Sequence, residues 1–272
     1  GLIFNIKKRV HIFTGQVWST KKGLFKFLLI LFDRLIIIFS TDILFDSKSQ
    51  IYFIKDFIKT KKRLSTVHYG SINGVDLKMF KKNDYKRKIM RKKYHIKLNK
   101  IVLLYAGRLN HDKGIENLVQ TFKIIRKNNK NICLFLVGHD ERNFFKTYRK
   151  EKDIKFINFS NNLVDYFSMS DIFCTFTKRE GFGVSVIQAS ACHLPIFCNN
   201  IYGLKDSVKN NVTGIKFNLD NKKIILKKLN MLIENKEIRK KLGSNGRKFV
   251  SKYYDQEKVV KKYNSYFNNL LT

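Results

Sequence analysis

From residue 101 onward the sequence repeats one unit, a short and almost wholly apolar run followed by a polar loop and an amphipathic segment, and this rhythm restricts the fold more than any single residue does. "IVLLYAG" ends in Gly107, and "GIENLVQTFKIIRKN" then places Ile115, Leu118, Val119, Phe122 and Ile125 at helical spacing. The unit recurs with "ICLFLVG" (132 to 138), "IKFINF" (154 to 159), "DIFCTFT" (171 to 177), "PIFCN" and "GIKFN", each followed by a helical segment, the last from about Asn221 to Glu234. Strands that alternate with helices across short loops predict a parallel sheet with helices on both faces, and runs without polar alternation suit strands covered on both sides. The fold class is therefore α/β, a Rossmann-like doubly wound sheet.

The first 75 residues carry a shorter version of this pattern. A strand is expected at "RVHIF", a buried apolar helix within "GLFKFLLILFDRLIIIFS" (23 to 40), a strand through "IIIFST", a helix across "DSKSQIYFIKDFI" and a strand near "LSTVHYG". Lys26, Asp33 and Arg34 interrupt the apolar stretch before the about 18 uncharged residues of a membrane span accumulate. We divide the chain into part of a second Rossmann-like domain (1–75), a basic linker (76–100), the main domain (101–252) and a terminal amphipathic helix (253–272) that packs back on the first domain. Gly1 stands where a start methionine would, and the chain is expected to begin partway through something longer.

Composition narrows the partners. The formal charge of +34 comes from 55 Lys and Arg against 21 Asp and Glu, but the cations are spread along the chain with no zinc spacing, aromatic RNA-binding strand or basic repeat, so no nucleic-acid partner is expected. Attraction to an anionic membrane face suits the basic and aromatic segments better. Cys133, Cys174, Cys192 and Cys198 lie in or beside apolar runs with no metal or redox spacing and read as buried thiols of a cytoplasmic protein.

Ligands of open parallel sheets bind beyond the carboxyl ends of the strands. The loop "GRLNHDKG" (107 to 114) brings Arg108 and Lys113 to one strand end after Gly107, a pair suited to a diphosphate or, equally, to a solvated surface. The loop "VGHDE" ends in glycine without clear chemistry. In "KREGFGVSVIQASACHLP" (178 to 195), Glu180 precedes glycine-flanked amides at a helix start near Val184, with Gln188 further along the same helix. Glu180 reads either as a ligand for sugar hydroxyls or as a helix cap.

Together "GRLNHDKG", "REGFGVSVIQASACHLPIFCN" and "IYGLKDSVKNNVTGIKF", with "FTGQVWSTKKG" and "TDILFDSKSQIYFI" nearer the start, resemble the family-4-type retaining glycosyltransferases (group 1). That resemblance implies a GT-B-like fold of two facing Rossmann-like domains, with residues 101–252 binding the nucleotide-sugar donor. It implies that Arg108 and Lys113 hold the donor diphosphate, that Glu180 binds the donor sugar, and that Gly107, Gly181, Phe182, Gly183, Val184, Ser185 and Gln188 line the donor site. Three departures stand out: Gln188 replaces a second glutamate that grips the ribose, Thr14 stands near where many members carry a histidine, and only the last portion of the first domain is present. His11 is nearby, two or three residues off.

The function so implied is transfer of a hexose, with retention, from a nucleoside diphosphate sugar to a surface-polysaccharide or lipid-linked glycan acceptor. The sugar nucleotide is the co-substrate; no cofactor or metal is expected. The expected location is cytoplasmic, peripheral on the inner face of the membrane. A non-catalytic fragment that keeps a nucleotide pocket, or a nucleotide-sugar epimerase, are the alternatives. Backbone near Phe159 and Ser160 is the expected contact for the base.

Overall fold

A computed structural model of the chain describes residues 5–271. In chain order the first part contains β1 (Val10–Phe13), α1 (Gly23–Phe39), β2 (Asp42–Phe45), α2 (Lys48–Lys55), β3 (Leu64–Ser65) and α3 (Asp84–Lys93). The second contains β4 (Ile101–Ala106), α4 (Ile115–Asn128), β5 (Ile132–Val137), α5 (Phe144–Tyr148), β6 (Ile154–Ile157) and α6 (Leu163–Met169). It continues with β7 (Ile172–Thr175), α7 (Val184–Ala191), β8 (Ile196–Asn199), α8 (Leu204–Ser207), β9 (Gly214–Phe217), α9 (Lys222–Glu234) and α10 (Lys236–Tyr253), and α11 (Gln256–Leu271) closes the chain. This is the parallel, Rossmann-like α/β architecture that the sequence rhythm predicts.

The larger sheet has the order β6-β5-β4-β7-β8-β9, with every pairing parallel. Side-chain alternation along β4 divides the core. Val102, Leu104 and Ala106 join Phe167 of α6, Ile187 of α7 and Val250 of α10 on one face. Leu103 and Tyr105 join Leu118 and Phe122 of α4 and Leu229 of α9 on the other. The chain winds outward from β4 to β6 and returns past β4 to β7, so the β4 and β7 loops diverge at the topological switch point.

The smaller sheet, β1-β2-β3, is also parallel. Phe13, Trp18, Ile37, Phe45 and Ile54 form one core; on the opposite face Leu44 and Val67 meet Val259 and Tyr263 of α11. Two expectations fail here. The helix α1 runs through "IIIF" to Phe39, and β2 starts at Asp42. The Lys62 ammonium donates to the carbonyls of Ile37, Ile38 and Ser40 (2.9, 2.6 and 2.6 Å), which caps the helix end and outweighs the strand preference of the isoleucines. Nor is α1 buried: Ile37 is its only buried side chain among the described residues, while Leu24, Phe27 and Phe32 are 72%, 63% and 61% exposed. A helix apolar on all faces needs cover on all faces, and this sheet meets only one of them.

The helix α10 is a further finding. Gly243 and Gly246 obscure its pattern in the sequence, yet they let it lie close to α7: a β-carbon at 243 would strike the carbonyl of His193, and one at 246 would touch Ser190 at 3.4 Å. The two parts of the chain are joined at residues 74–75 and 254–256, where Val75 N–H donates to the Tyr254 carbonyl (2.8 Å) and Gln256 N–H to the Val75 carbonyl (3.0 Å).

Candidate active site between the two domains

The loop after β4 is shaped by two glycines and an asparagine. Gly107, at φ +149°, packs where a β-carbon would meet the Tyr105 hydroxyl at 2.9 Å. The Asn110 side chain accepts from Lys113 N–H at 3.0 Å, fixing a single 3-10 turn, His111–Lys113. Gly114, at φ +68°, lets that turn lie directly on the carbonyl of Phe176, where any larger residue would clash.

This approach stitches the β4 loop to the β7 loop. Lys178 N–H and the Thr177 hydroxyl donate to the Asp112 carbonyl (2.8 and 3.2 Å), and the Arg179 guanidinium donates to the Asp112 carboxylate at 3.0 Å. Burial would raise the Asp112 carboxyl, and the hydrogen bond and charge of Arg179, with the charges of Lys21 and Lys178, together more than reverse this and hold it below the usual range. The Lys113 ammonium then reaches Glu180 Oε2 at 2.7 Å, with both side chains largely covered, at 18% and 26% exposed. Two groups 67 residues apart in sequence thus form one ion pair at the switch point.

Arg108 is placed otherwise. It is exposed and pairs at 3.1 Å with Glu141 from the β5 loop, which also accepts from Asn110 at 2.9 Å. Those two hydrogen bonds hold the Glu141 carboxyl below its ordinary range. Gly183, at φ +91°, caps α7 without a side-chain acceptor, so the first amides of that helix, at Val184 and Ser185, have no cap. Gln188 lies half-buried on α7 with no side-chain hydrogen bond among the described residues. Phe182 faces away into the core, 1% exposed and edge-on to Tyr254 at 4.9 Å, so only its backbone borders the loop.

The profile of the family "Glycosyl transferases group 1" matches residues 86–249. The capsular polysaccharide biosynthesis glycosyltransferase CapM of Staphylococcus aureus is 30% identical over 274 residues, covering 97% of this chain and 70% of CapM. The chain belongs to the group 1 glycosyltransferases. Against the N-acetyl-alpha-D-glucosaminyl L-malate synthase of Bacillus anthracis it is 22% identical, spanning 83% of this chain and 58% of that protein. The fold matches Anabaena HepE in complex with UDP and glucose at a TM-score of 0.81, with 17% identity over 97% of this chain and 71% of HepE. A sucrose-phosphate synthase from Thermosynechococcus elongatus superposes at 0.83, with 18% identity over 96% and 67% of the two chains. The fold is GT-B-like, as the motifs imply.

In this glycosyltransferase the first domain closes directly on the β7 loop. A β-carbon on Gly181 would strike the carbonyl of Thr14, and one on Gly15 would lie 3.4 Å from Gly181 N. Asp206 accepts from Ser49 N–H at 2.9 Å and from the Ser49 hydroxyl, Gly203 N–H donates to Ser49 Oγ at 2.8 Å, and Phe53 stacks on Tyr202 at 4.4 Å. His11 sits edge-on to Phe13 on the side of Asp33 in α1, and its imidazole is held below the ordinary value by burial, against a small opposing pull from Asp33.

Asp46, at the carboxyl end of β2, was not marked by the sequence. It is buried, accepts from Ile72 N–H at 3.1 Å and has its second oxygen against Gly181. Burial pushes its carboxyl up to about 6, with Glu180 adding to the rise and the Ile72 hydrogen bond opposing it. The strand-end rule would have found it, had it been applied to the first sheet as well as the second. A cavity of about 370 Å3 opens at the ends of β5 and β6, lined by Leu109, Gly138, Phe145, Phe156 and Asn158. Phe159 itself is 72% exposed and outside the lining of that cavity.

Proposed function

We propose that the chain is the donor-binding and larger part of a retaining glycosyltransferase that moves a hexose from a nucleoside diphosphate sugar to a surface-polysaccharide or lipid-linked glycan acceptor. The observation that carries this reading is the Lys113–Glu180 pair at the switch point, beside the uncapped amides of α7. A diphosphate seated there meets Lys113, the helix amino end and Arg108, which exchanges Glu141 for phosphate oxygens as the ligand enters. Glu180, released from Lys113, accepts hydrogen bonds from sugar hydroxyls.

Negative charge grows on the diphosphate as the glycosidic bond breaks, so these fixed donors favour the transition state over the ground state. The base enters the cavity bordered by Leu109 and Phe156, and Gln188 faces the ribose with neutral hydrogen bonds in place of a carboxylate. UDP in the Anabaena structure and the polysaccharide named for CapM support the donor and acceptor classes. The basic, aromatic surface supports a peripheral position on an anionic membrane face, although no helix among the described residues is long and apolar enough to cross a membrane.

The test is acceptor-dependent release of UDP or GDP from UDP-hexoses and GDP-hexoses, using lipid-linked glycan as acceptor. Release that falls at least a hundredfold in Glu180→Gln, with the product linkage retaining the donor's configuration by NMR, is the expected result. Release that does not require acceptor, or survives in Glu180→Gln, contradicts the proposal.

A further inference from the structure

At the end of the donor sheet opposite the reaction loops, the amino ends of β4, β7 and β8 open on a cavity of about 640 Å3, within the size range of small-molecule sites. Its wall carries five Lys or Arg side chains against one carboxylate, Asp171. That carboxylate is already committed: Arg87 and Arg91 each bind it at 2.7 Å. The helix carbonyls nearby are committed too. Arg87 donates to Met169 and Ser170 O (2.9 Å each), Arg247 to Ala191 O (2.9 Å), and Arg239 to Leu232 and Ile233 O (2.6 Å each).

What remains around the cavity is positive and weakly paired. The Lys236 side chain forms no hydrogen bond or ion pair among the described residues. Lys82 meets only Asp84 at 3.4 Å and Lys240 only Glu237 at 2.9 Å, both exposed pairs of small worth. Lys236 also begins the 18-residue helix α10, whose Asn235 cap satisfies Ile238 N–H and leaves earlier amides without an intrahelical acceptor.

Two further features point to a ligand. Ser168 lines the cavity at 3% exposure, and its hydroxyl has no partner, an unusual state for a buried polar atom. His193 is held at φ +61°, a left-handed conformation uncommon for a residue with a side chain, and it borders the same space. Partial burial, Arg247 and Lys82 together press its imidazole below the ordinary value, a repulsion that a bound anion would relieve.

We propose that this cavity is a second anion site, separate from the donor site, that takes a small soluble ligand bearing two or more phosphate groups. Lys82, His193, Lys236 and Lys240 hold the phosphates, and the Ser168 hydroxyl donates from the floor. One phosphate group would engage only part of a basic wall spread over the starts of three strands and of α10. The cavity also borders the turn after α7, so its occupant bears on the far end of the helix whose first amides face the donor loop.

The experiment is calorimetric titration with inorganic tripolyphosphate at 0.15 M NaCl, in a chain carrying Arg108→Ala and Lys113→Ala so that the reaction loops do not compete. We expect one saturable site per chain. Adding Lys82→Ala and Lys240→Ala should weaken it at least tenfold, and adding Ser168→Ala severalfold. Adding Lys223→Ala and Lys227→Ala, which removes the same charge from the exposed face of α9, should leave it within twofold. Equal weakening by the two lysine pairs would mean attraction to net charge alone and would overturn the site, as would the absence of saturable binding.

Discussion

The larger sheet and the smaller sheet are built from the same kind of apolar run, and they finish in different surroundings. Helices cover both faces of β4 to β9, and all six residues of β5 are buried. In the first domain three strands meet α11 on one face and α1 with α2 on the other, and α1 still turns Leu24, Phe25, Phe27 and Phe32 to solvent. An apolar run therefore reports a need for cover; the number of neighbouring elements decides whether it is met.

The two domains should respond very differently when one large side chain is truncated in each. Phe173→Ala, in β7 at 0% exposure, should cost about 3–5 kcal/mol in chemical denaturation. Phe27→Ala, in α1 at 63% exposure, should stay within about 0.5 kcal/mol. Similar losses at both positions would mean that α1 is packed in solution as well as the core of the larger sheet.

A middle-sized effect is expected where the two domains touch. Asp46 is pushed up to about 6 from an ordinary 3.8, so the folded state holds its proton more tightly than the unfolded state does. The stability linked to that proton is fully present below about pH 4 and is lost as pH rises through about 6. Asp46→Asn keeps the acceptor for Ile72 N–H and removes the buried charge. It should match the native chain at pH 4 and exceed it by about 1–3 kcal/mol at pH 8 in thermal melts. A variant that gains nothing between those pH values would show that the carboxylate is not confined against Gly181.

The smallest effect on stability belongs to the surface of α1. Phe27→Ser with Phe32→Ser should leave the melting midpoint within about 2 °C while lowering self-association in light scattering. Unchanged association would remove the exposed phenylalanines as its cause.

The sequence made the larger domain legible because its strands are continuous apolar runs punctuated by Gly107, Gly138 and Asn199, a pattern that suits a covered parallel sheet. The end of α1 was misread because "IIIF" suits a strand locally, and the deciding contact comes from Lys62, more than twenty residues later. Helix α10 stayed hidden behind two glycines whose purpose is close packing on α7. Within the site, each loop could be read separately, and Glu180 could equally have been a helix cap. Its pairing with Lys113 depends on Gly114 lying against Phe176, and the place of Glu141 beside Arg108 depends on the register of β5 against β4. Such contacts arise from tertiary closeness and leave no local signature.

We propose that the β4 and β7 loops form one nucleoside diphosphate seat through Lys113 and Glu180. Calorimetric titration of the chain with UDP and with GDP, alongside Lys113→Ala, is the test. Saturable binding of at least one nucleotide, weakened tenfold or more in the variant, a difference of about 1.4 kcal/mol, is the predicted result. A folded chain that binds neither nucleotide, or binds one equally well without Lys113, would contradict it.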